Sequence, residues 1–362
     1  MTDSAFCKLL TDLLNVNGHS KDERRIADFI LKYCKTNGIE AREDKSASKT
    51  GGNAGNILAW PKGVNPDKVK TMFASHMDTV DVGPSRKLKF SGSRIESASE
   101  WPIGIDNRLG NALMLRLLTE KPGNYVCAFT TQEEIGMFGA EELAVPKNIK
   151  QIFNLDGSQE PGHFVLSTVG CVTFKVTLTG QSSHAGIAPN EGKSVIAMAS
   201  KAIAELPLGM PGNDESINIG VINAGTRSNV IPSKAEIIGE VRAGSLKKTE
   251  QVVKKVMDTF KKWAKKYGGS MSWQREDMFK PYLHKATSPI AQRSIKAIKS
   301  SGLVPRYNHY RGGSDANVFN NRGIDSVNLS IAARNPHSPK EHADFKEIAK
   351  AWKIVEALSI GD

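Results

Sequence analysis

The sequence predicts an α/β protein: a mostly parallel sheet covered by helices, interrupted by a smaller inserted domain of ferredoxin-like β-α-β-β-α-β order. Three observations lead there. Helical and strand patterns alternate through the first 168 residues, the rhythm changes from Cys171, and the alternation resumes after Pro281. Parallel neighbours need long crossovers, usually helices, so alternation of this kind favours a parallel sheet. The larger domain is expected to be discontinuous, over 1–169 and 282–362, with the insert over 170–281.

Apolar spacing places helices over 5–15 and 21–37, then strands at "GNILAW" and "KTMFASH". A helix follows over 107–120, then the strand "YVCAFTT", a short helix near Gly139 and the strand "QIFNLD". In the insert the order is strand "CVTFKVTLTG", helix "KSVIAMASKAIAEL", strands "SINIGVINAG" and "KAEIIGEVRAG", a lysine-rich helix over 246–269, and strand "SMSWQRE". The chain then returns to helix "SPIAQRSIKAIKSSG", a strand running into "RGGSDANVFNNRG", strand "IDSVNLSI" and a last helix over 340–359.

Composition narrows the classes. With 362 residues, 39% hydrophobic and 24% charged, the chain has ordinary globular character and enough length for a large core. The opening "MTDSAFCKLLTDLLNV" reads as an amphipathic first helix rather than a secretory leader, and no apolar run approaches the roughly 20 residues of a membrane helix. Cys7, Cys34, Cys127 and Cys171 show no CxxC spacing, as expected of reduced, packed thiols in a cytoplasmic protein. Much of the +11 net charge lies in the lysine-rich helix. There Val252, Val253, Val256, Met257, Phe260 and Trp263 recur at helical spacing, so the lysines are expected to form a solvated face. Without base-stacking aromatics or a binding motif, nucleic-acid binding is the weaker reading.

Polar residues close several strands. "TMFASHMDTVD" carries His76 and Asp78, "YVCAFTTQEE" ends in Glu133 and Glu134, and "QIFNLDG" in Asp156; Asp106 opens a helix, and His337 lies in "AARNPHSPKEH". Singly, a helix cap accounts for Asp106 and a turn for Asp156. Together, acids and histidines at the carboxyl ends of strands in one sheet make a concentrated negative site that calls for a cation. Imidazole and carboxylate without thiolate favour zinc, cobalt or manganese. Asp78, two residues after His76, is placed to hydrogen-bond the second nitrogen of that ring.

The set "HMD", "GIDNRLG", "TTQEEIGMFGA", "NLDGS", "SSHAGIAPNEGKSVI", "NVIP", "GEVR", "RGGSDANVF" and "NPHS" resembles the di-zinc metallopeptidases of the aminoacylase, glutamate carboxypeptidase and desuccinylase superfamily. It looks nearest to the peptidase T, or tripeptide aminopeptidase, branch, which "TGGNAGNILA" and "HAGIAP" resemble. A second zinc aminopeptidase family, of glutamyl aminopeptidase type, shares the short motifs but inserts its extra domain between the first two ligands. Here His76 and Asp106 are only 30 residues apart, and the long insert lies between Asp156 and His337.

The resemblance implies two divalent ions per subunit, zinc with cobalt or manganese as alternatives. His76, Asp106 and Asp156 would hold one; Asp106, Glu134 and His337 would hold the other, with Asp106 bridging. It implies that Glu133 is the general base and acid, and that His184 reaches a neighbouring subunit's site across a homodimer formed by the insert. Asn229, Arg242, Gly312 and Gly313 match positions that grip the substrate, chiefly its carboxylate. Asn107 stands where a second aspartate is usual, Arg108 replaces a common lysine, Ser338 replaces threonine, and Trp101 is expected to pack near the pocket. The implied reaction is hydrolysis of short peptides. N-acyl-amino-acid deacylation or dipeptidase and carboxypeptidase activity remain open alternatives, and an inactive metal-binding or nucleic-acid-binding protein on the same fold is the reading from another class.

Overall fold

The computed structural model describes residues 4–84 and 86–360; residues 1–3, 85 and 361–362, with the outer ends of the expected larger domain, lie outside the described part. It divides into two units, Met1–Leu166 with Leu283–His309 and Ser314–Asp362, and Ser167–Tyr282 with Tyr310–Gly313.

The first unit is built on eight strands. Across the sheet they run Glu40–Glu43, Ile57–Trp60, Val126–Thr130, Thr71–His76, Gln151–Gly157, Asp325–Ser330, His163–Thr168 and Arg306–Tyr310. The central four are parallel, and Ile57–Trp60 and His163–Thr168 join them antiparallel. Thr71–His76 is buried at every position, as a strand covered on both faces must be. Phe73 meets Tyr125 edge to face and packs against a tilted Phe153 ring there, with ring centroids 5.6 and 5.9 Å away. Helix Ile105–Glu120 buries nearly its whole length, which is why its sequence lacks a polar face. Parallel strands all end on the same side, so His76, Thr130 and Gly157 reach one edge, with His76 registered opposite Thr130 and Ser330 opposite Gly157.

The last helix begins at Phe345, five residues later than its apolar spacing predicts. His342–Asp344 is instead a strand on Arg94–Ser97, which pairs with Leu88–Ser91. Asp344 then caps the helix, its carboxylate accepting from the Lys346 amide. The segment after Tyr310 likewise turns into helix, Asp315–Asn321.

The main sheet of the second unit has five antiparallel strands in the order Gly209–Gly212, Glu215–Ala224, Lys234–Ala243, Gly170–Thr179 and Ser270–Phe279. Apart from the short first strand, the arrangement is the ferredoxin-like one expected of β-α-β-β-α-β. Helices Val195–Glu205 and Leu246–Lys266 share a core with Val172, Phe174, Val176 and Leu178. In the lysine-rich helix Val252, Val253, Val256, Met257 and Phe260 are buried and Trp263 is partly buried. Lys254 pairs with Asp258 and Lys262 with Glu205 on its open face. The four cysteines are free thiols, all but Cys7 buried. Among the described residues no helix is long and apolar enough to cross a membrane.

Candidate metal centre and active site

Two groups of three side chains converge in the first unit, His76 with Asp106 and Asp156, and Asp106 with Glu134 and His337. Within each group the potential ligand atoms lie within 4.8 Å of one another. His76 Nε2 is 3.1 Å from Asp106 Oδ1 and 3.3 Å from Asp156 Oδ1. His337 Nε2 is 2.9 Å from Glu134 Oε1 and 3.4 Å from Asp106 Oδ2. The two oxygens of Asp106 are thus divided between the groups, the arrangement a bridging carboxylate requires. Asp106 is not the helix cap that its position suggested. Gly104 takes the cap position in the left-handed region, and Asp106 itself has non-helical backbone angles at the helix mouth. The donor set, two imidazoles and three carboxylates without sulfur, fits zinc, cobalt or manganese.

The electrostatics show the same need for positive charge. Hydrogen bonds to Asp106 and Glu134 push His337 up to about 10. Burial lowers His76, but Asp106, Asp156 and Asp78 outweigh it and hold that ring protonated far above its ordinary range. Asp106 is buried too, yet the bonds from His337 and His76 keep it below the usual carboxylate range. Burial raises Asp156 to about 6. Glu133 is pushed well above the carboxylate range by burial, with Asp156, Asp315 and Glu134 adding to the effect.

Backbone hydrogen bonds hold the glutamate pair. Four consecutive amides each donate to a buried side chain: Thr131 to Asn56 Oδ1 at 3.1 Å, Gln132 to Glu23 Oε1 at 3.1 Å, and Glu133 and Glu134 to the two oxygens of Asp78 at 3.1 and 3.2 Å. Asp78 also accepts from Ser20 Oγ at 2.6 Å. His76 Nδ1 lies nearer the Asp78 carbonyl, 3.0 Å, than its carboxylate, 3.4 Å. The ring contact expected of Asp78 is therefore mainly a main-chain one, while its carboxylate orders Glu133 and Glu134. Asn107 donates to Asp156 Oδ1 at 3.1 Å and to the Leu155 carbonyl at 2.9 Å. An ionised aspartate has no proton to donate there, which gives the departure at Asn107 a physical sense. Arg108 is buried and donates to the Gly18 carbonyl at 3.2 Å, bracing the loop that carries Ser20. Trp101 lies flat on Gly83, where a Cβ would sit 2.2 Å from its ring. Ser338 Oγ donates to the Asn335 carbonyl at 2.8 Å within the His337 loop. Sequence reasoning missed Glu23, Asn56 and Glu341; a buried glutamate amid a polar stretch leaves no periodic signal.

The other expected site residues lie in the second unit. His184 is exposed on a two-residue strand registered against Val230, and the Ala185 amide donates to the Asn229 carbonyl at 2.9 Å, so His184 and Asn229 are neighbours. Arg242 grips Glu240 with Nε and Nη2 at 2.9 and 3.1 Å and donates from Nη1 to the Arg311 carbonyl at 2.8 Å, next to Gly312 and Gly313.

Residues 166–271 match the peptidase dimerisation domain of the M20 peptidases. The solved aminopeptidase PepT of Bacillus cereus is 30% identical to this chain, covers 98% of it over 97% of its own length, and superposes with a TM-score of 0.89. The chain belongs to the M20 peptidase family. M20 membership makes it an enzyme, a hydrolase of peptide bonds. The uncharacterised protein YqjE of Bacillus subtilis is 27% identical over 96% of this chain and 95% of its own. Carboxypeptidase G2 of a Pseudomonas species is 30% identical over 66% of this chain and 60% of its own length.

Proposed function

We propose that this M20 enzyme is an exopeptidase of short peptides, of tripeptide aminopeptidase type, working with two divalent cations, zinc first among them. The observation that carries the reading is the division of Asp106's two oxygens between two ligand groups, with Glu133 beside them. His76, Asp106 and Asp156 would hold one cation and Asp106, Glu134 and His337 the other. When bound, such ions supply Lewis-acid polarisation of the scissile carbonyl and lower the pKa of water.

Glu133 is the base in this reading. It is half-buried, and its raised proton affinity suits a group that takes a proton from attacking water and returns it to the leaving amine. Asp78 holds the backbone of both glutamates, so that Glu134 serves as ligand while Glu133 stays available to the proton. His184 would donate to the tetrahedral oxyanion from the partner of a homodimer joined through the second unit, and Asn229, Arg242 and the Gly312–Gly313 turn would hold the substrate. Arg242 is already in a two-point pair with Glu240, so a substrate carboxylate must share or displace that partner. A cytoplasmic location accords with free, buried thiols.

The resemblance to carboxypeptidase G2 supports a second reading, attack at the carboxyl end of short peptides or acyl amino acids. Metal-stripped protein refilled with zinc, cobalt or manganese and offered di-, tri- and N-acyl peptides separates the two. Release of the amino-terminal residue from unblocked tripeptides is expected. Cleavage confined to N-blocked substrates overturns the aminopeptidase reading.

A further inference from the structure

Glu341 lies four residues beyond His337 and belongs to neither ligand group. Only 1% of its surface is exposed. Its Oε2 accepts from the amides of Ile103 at 2.6 Å and Gly104 at 2.7 Å, and its Oε1 from the amide of Asp106 at 3.0 Å. One carboxylate therefore holds three of the four amides from 103 to 106, across more than 230 residues of sequence. Its own backbone is tied at both ends: the Glu341 amide donates to the Ser338 carbonyl at 3.0 Å, and its carbonyl accepts from the Ser97 amide at 3.2 Å. The strand His342–Asp344 then locks the segment onto Arg94–Ser97.

The two segments so joined are the ones that carry Asp106 and His337. Asp106 stands in non-helical backbone at the mouth of its helix, where no intrahelical bond orders its amide. His337 has a positive φ of 60° in an open loop. We propose that Glu341 is a positioning residue for the metal centre: its carboxylate fixes Asp106 against the His337 loop and so sets the affinity of both metal positions. The proposal rests on the assignment of Asp106 and His337 as ligands.

The chemistry of the clamp dictates the probe. Three donors converge on two oxygens, so an acceptor-only group is needed on both sides. In Glu341→Gln the amide nitrogen must face either the Asp106 N–H or those of Ile103 and Gly104, and no rotation avoids a donor-donor clash. Glu347→Gln removes the same charge from a half-buried pair with Arg334 nearby and leaves the clamp alone.

Metal-stripped parent, Glu341→Gln and Glu347→Gln proteins are titrated with buffered free zinc, occupancy is read by elemental analysis, and the melting of each metal-free protein is followed. A roughly 10- to 100-fold weaker zinc affinity is expected for Glu341→Gln, the range found when groups that orient ligands are lost, with Glu347→Gln within about twofold of the parent. Parent-like affinity in Glu341→Gln, with only the metal-free melting temperature lowered, makes Glu341 a brace of the fold and overturns the proposal. Failure of the parent to bind zinc in stoichiometric amount overturns the ligand assignment itself, and the proposal with it. If Glu341→Gln does not fold, Glu341→Asp carries the same test: it keeps the charge but withdraws both oxygens by one methylene, and parent-like affinity there is again the refuting result.

Discussion

Replacing Asp78 by asparagine removes one acceptor from a carboxylate with three well-placed donors, Ser20 Oγ at 2.6 Å and the amides of Glu133 and Glu134 at 3.1 and 3.2 Å. The side chain is fully buried, so no water replaces what is lost. In Asp78→Asn, the oxygen can accept from Glu133 while the new NH2 donates to Ser20, but the Glu134 amide is then orphaned. The opposite rotamer orphans the Glu133 amide instead. Either way one amide of the glutamate pair stays unpaired, at a cost of about 1–3 kcal/mol in stability. For a unit of this size each kcal/mol lowers the melting temperature by about 2–4 °C. The same loosening displaces the base or the ligand, and loss of an orienting group costs roughly 10- to 100-fold in activity or metal affinity, or about 1.4–2.7 kcal/mol at 1.36 kcal/mol per decade. Thermal melting, elemental analysis and turnover of a tripeptide together provide the assay. Turnover within twofold of the parent, at an unchanged melting temperature, refutes the claim that the Asp78 carboxylate orders this pair.

Glu133→Gln is expected to lose roughly 10²- to 10⁴-fold in kcat, the usual share of general acid-base catalysis, with metal content unchanged; near-normal turnover removes Glu133 from its role. Glu134→Gln is expected to lower metal occupancy, and equal metal by elemental analysis contradicts its assignment as a ligand. The pH behaviour follows from His337, raised from 6.5 to about 10. A raised pKa stabilises the metal-free fold fully below the unfolded value and ceases to as pH climbs through the folded one, so metal-free stability is expected to fall between about 7 and 10. Zinc must expel that proton. Calorimetry at pH 7 in buffers of different ionisation heat should therefore register proton release on metal binding, and a buffer-independent heat counts against the arrangement.

Some of this was legible in the residues alone. Apolar runs such as "TMFASH" and "VCAFT" mark strands buried on both faces because a covered strand has no polar side to alternate with. The valines and Phe260 of the lysine-rich helix mark its inner face because burial there repeats with the helical turn. Leu88–Ser91, Arg94–Ser97 and His342–Asp344 escaped, since four- or three-residue strands with at most one buried side chain each carry almost no pattern. For the same reason the last helix was expected to start before Phe345, although the preceding backbone is taken by a strand.

The sequence by itself determined the alternation of the main helices and strands, the ferredoxin-like insert and the kinds of donor, histidine and carboxylate, that gather at the strand ends. Those properties are local: periodicity and side-chain chemistry are written within a few turns of chain. Tertiary structure alone decided which oxygen of Asp106 faces which histidine, that the Asp78 carboxylate serves the glutamate amides more than the His76 ring, and that Glu23, Asn56 and Glu341 hold the loops of the site. Each of these is a directional hydrogen bond or close contact whose partners lie from 30 to more than 200 residues apart, and it exists only once the sheet has brought the strand ends together.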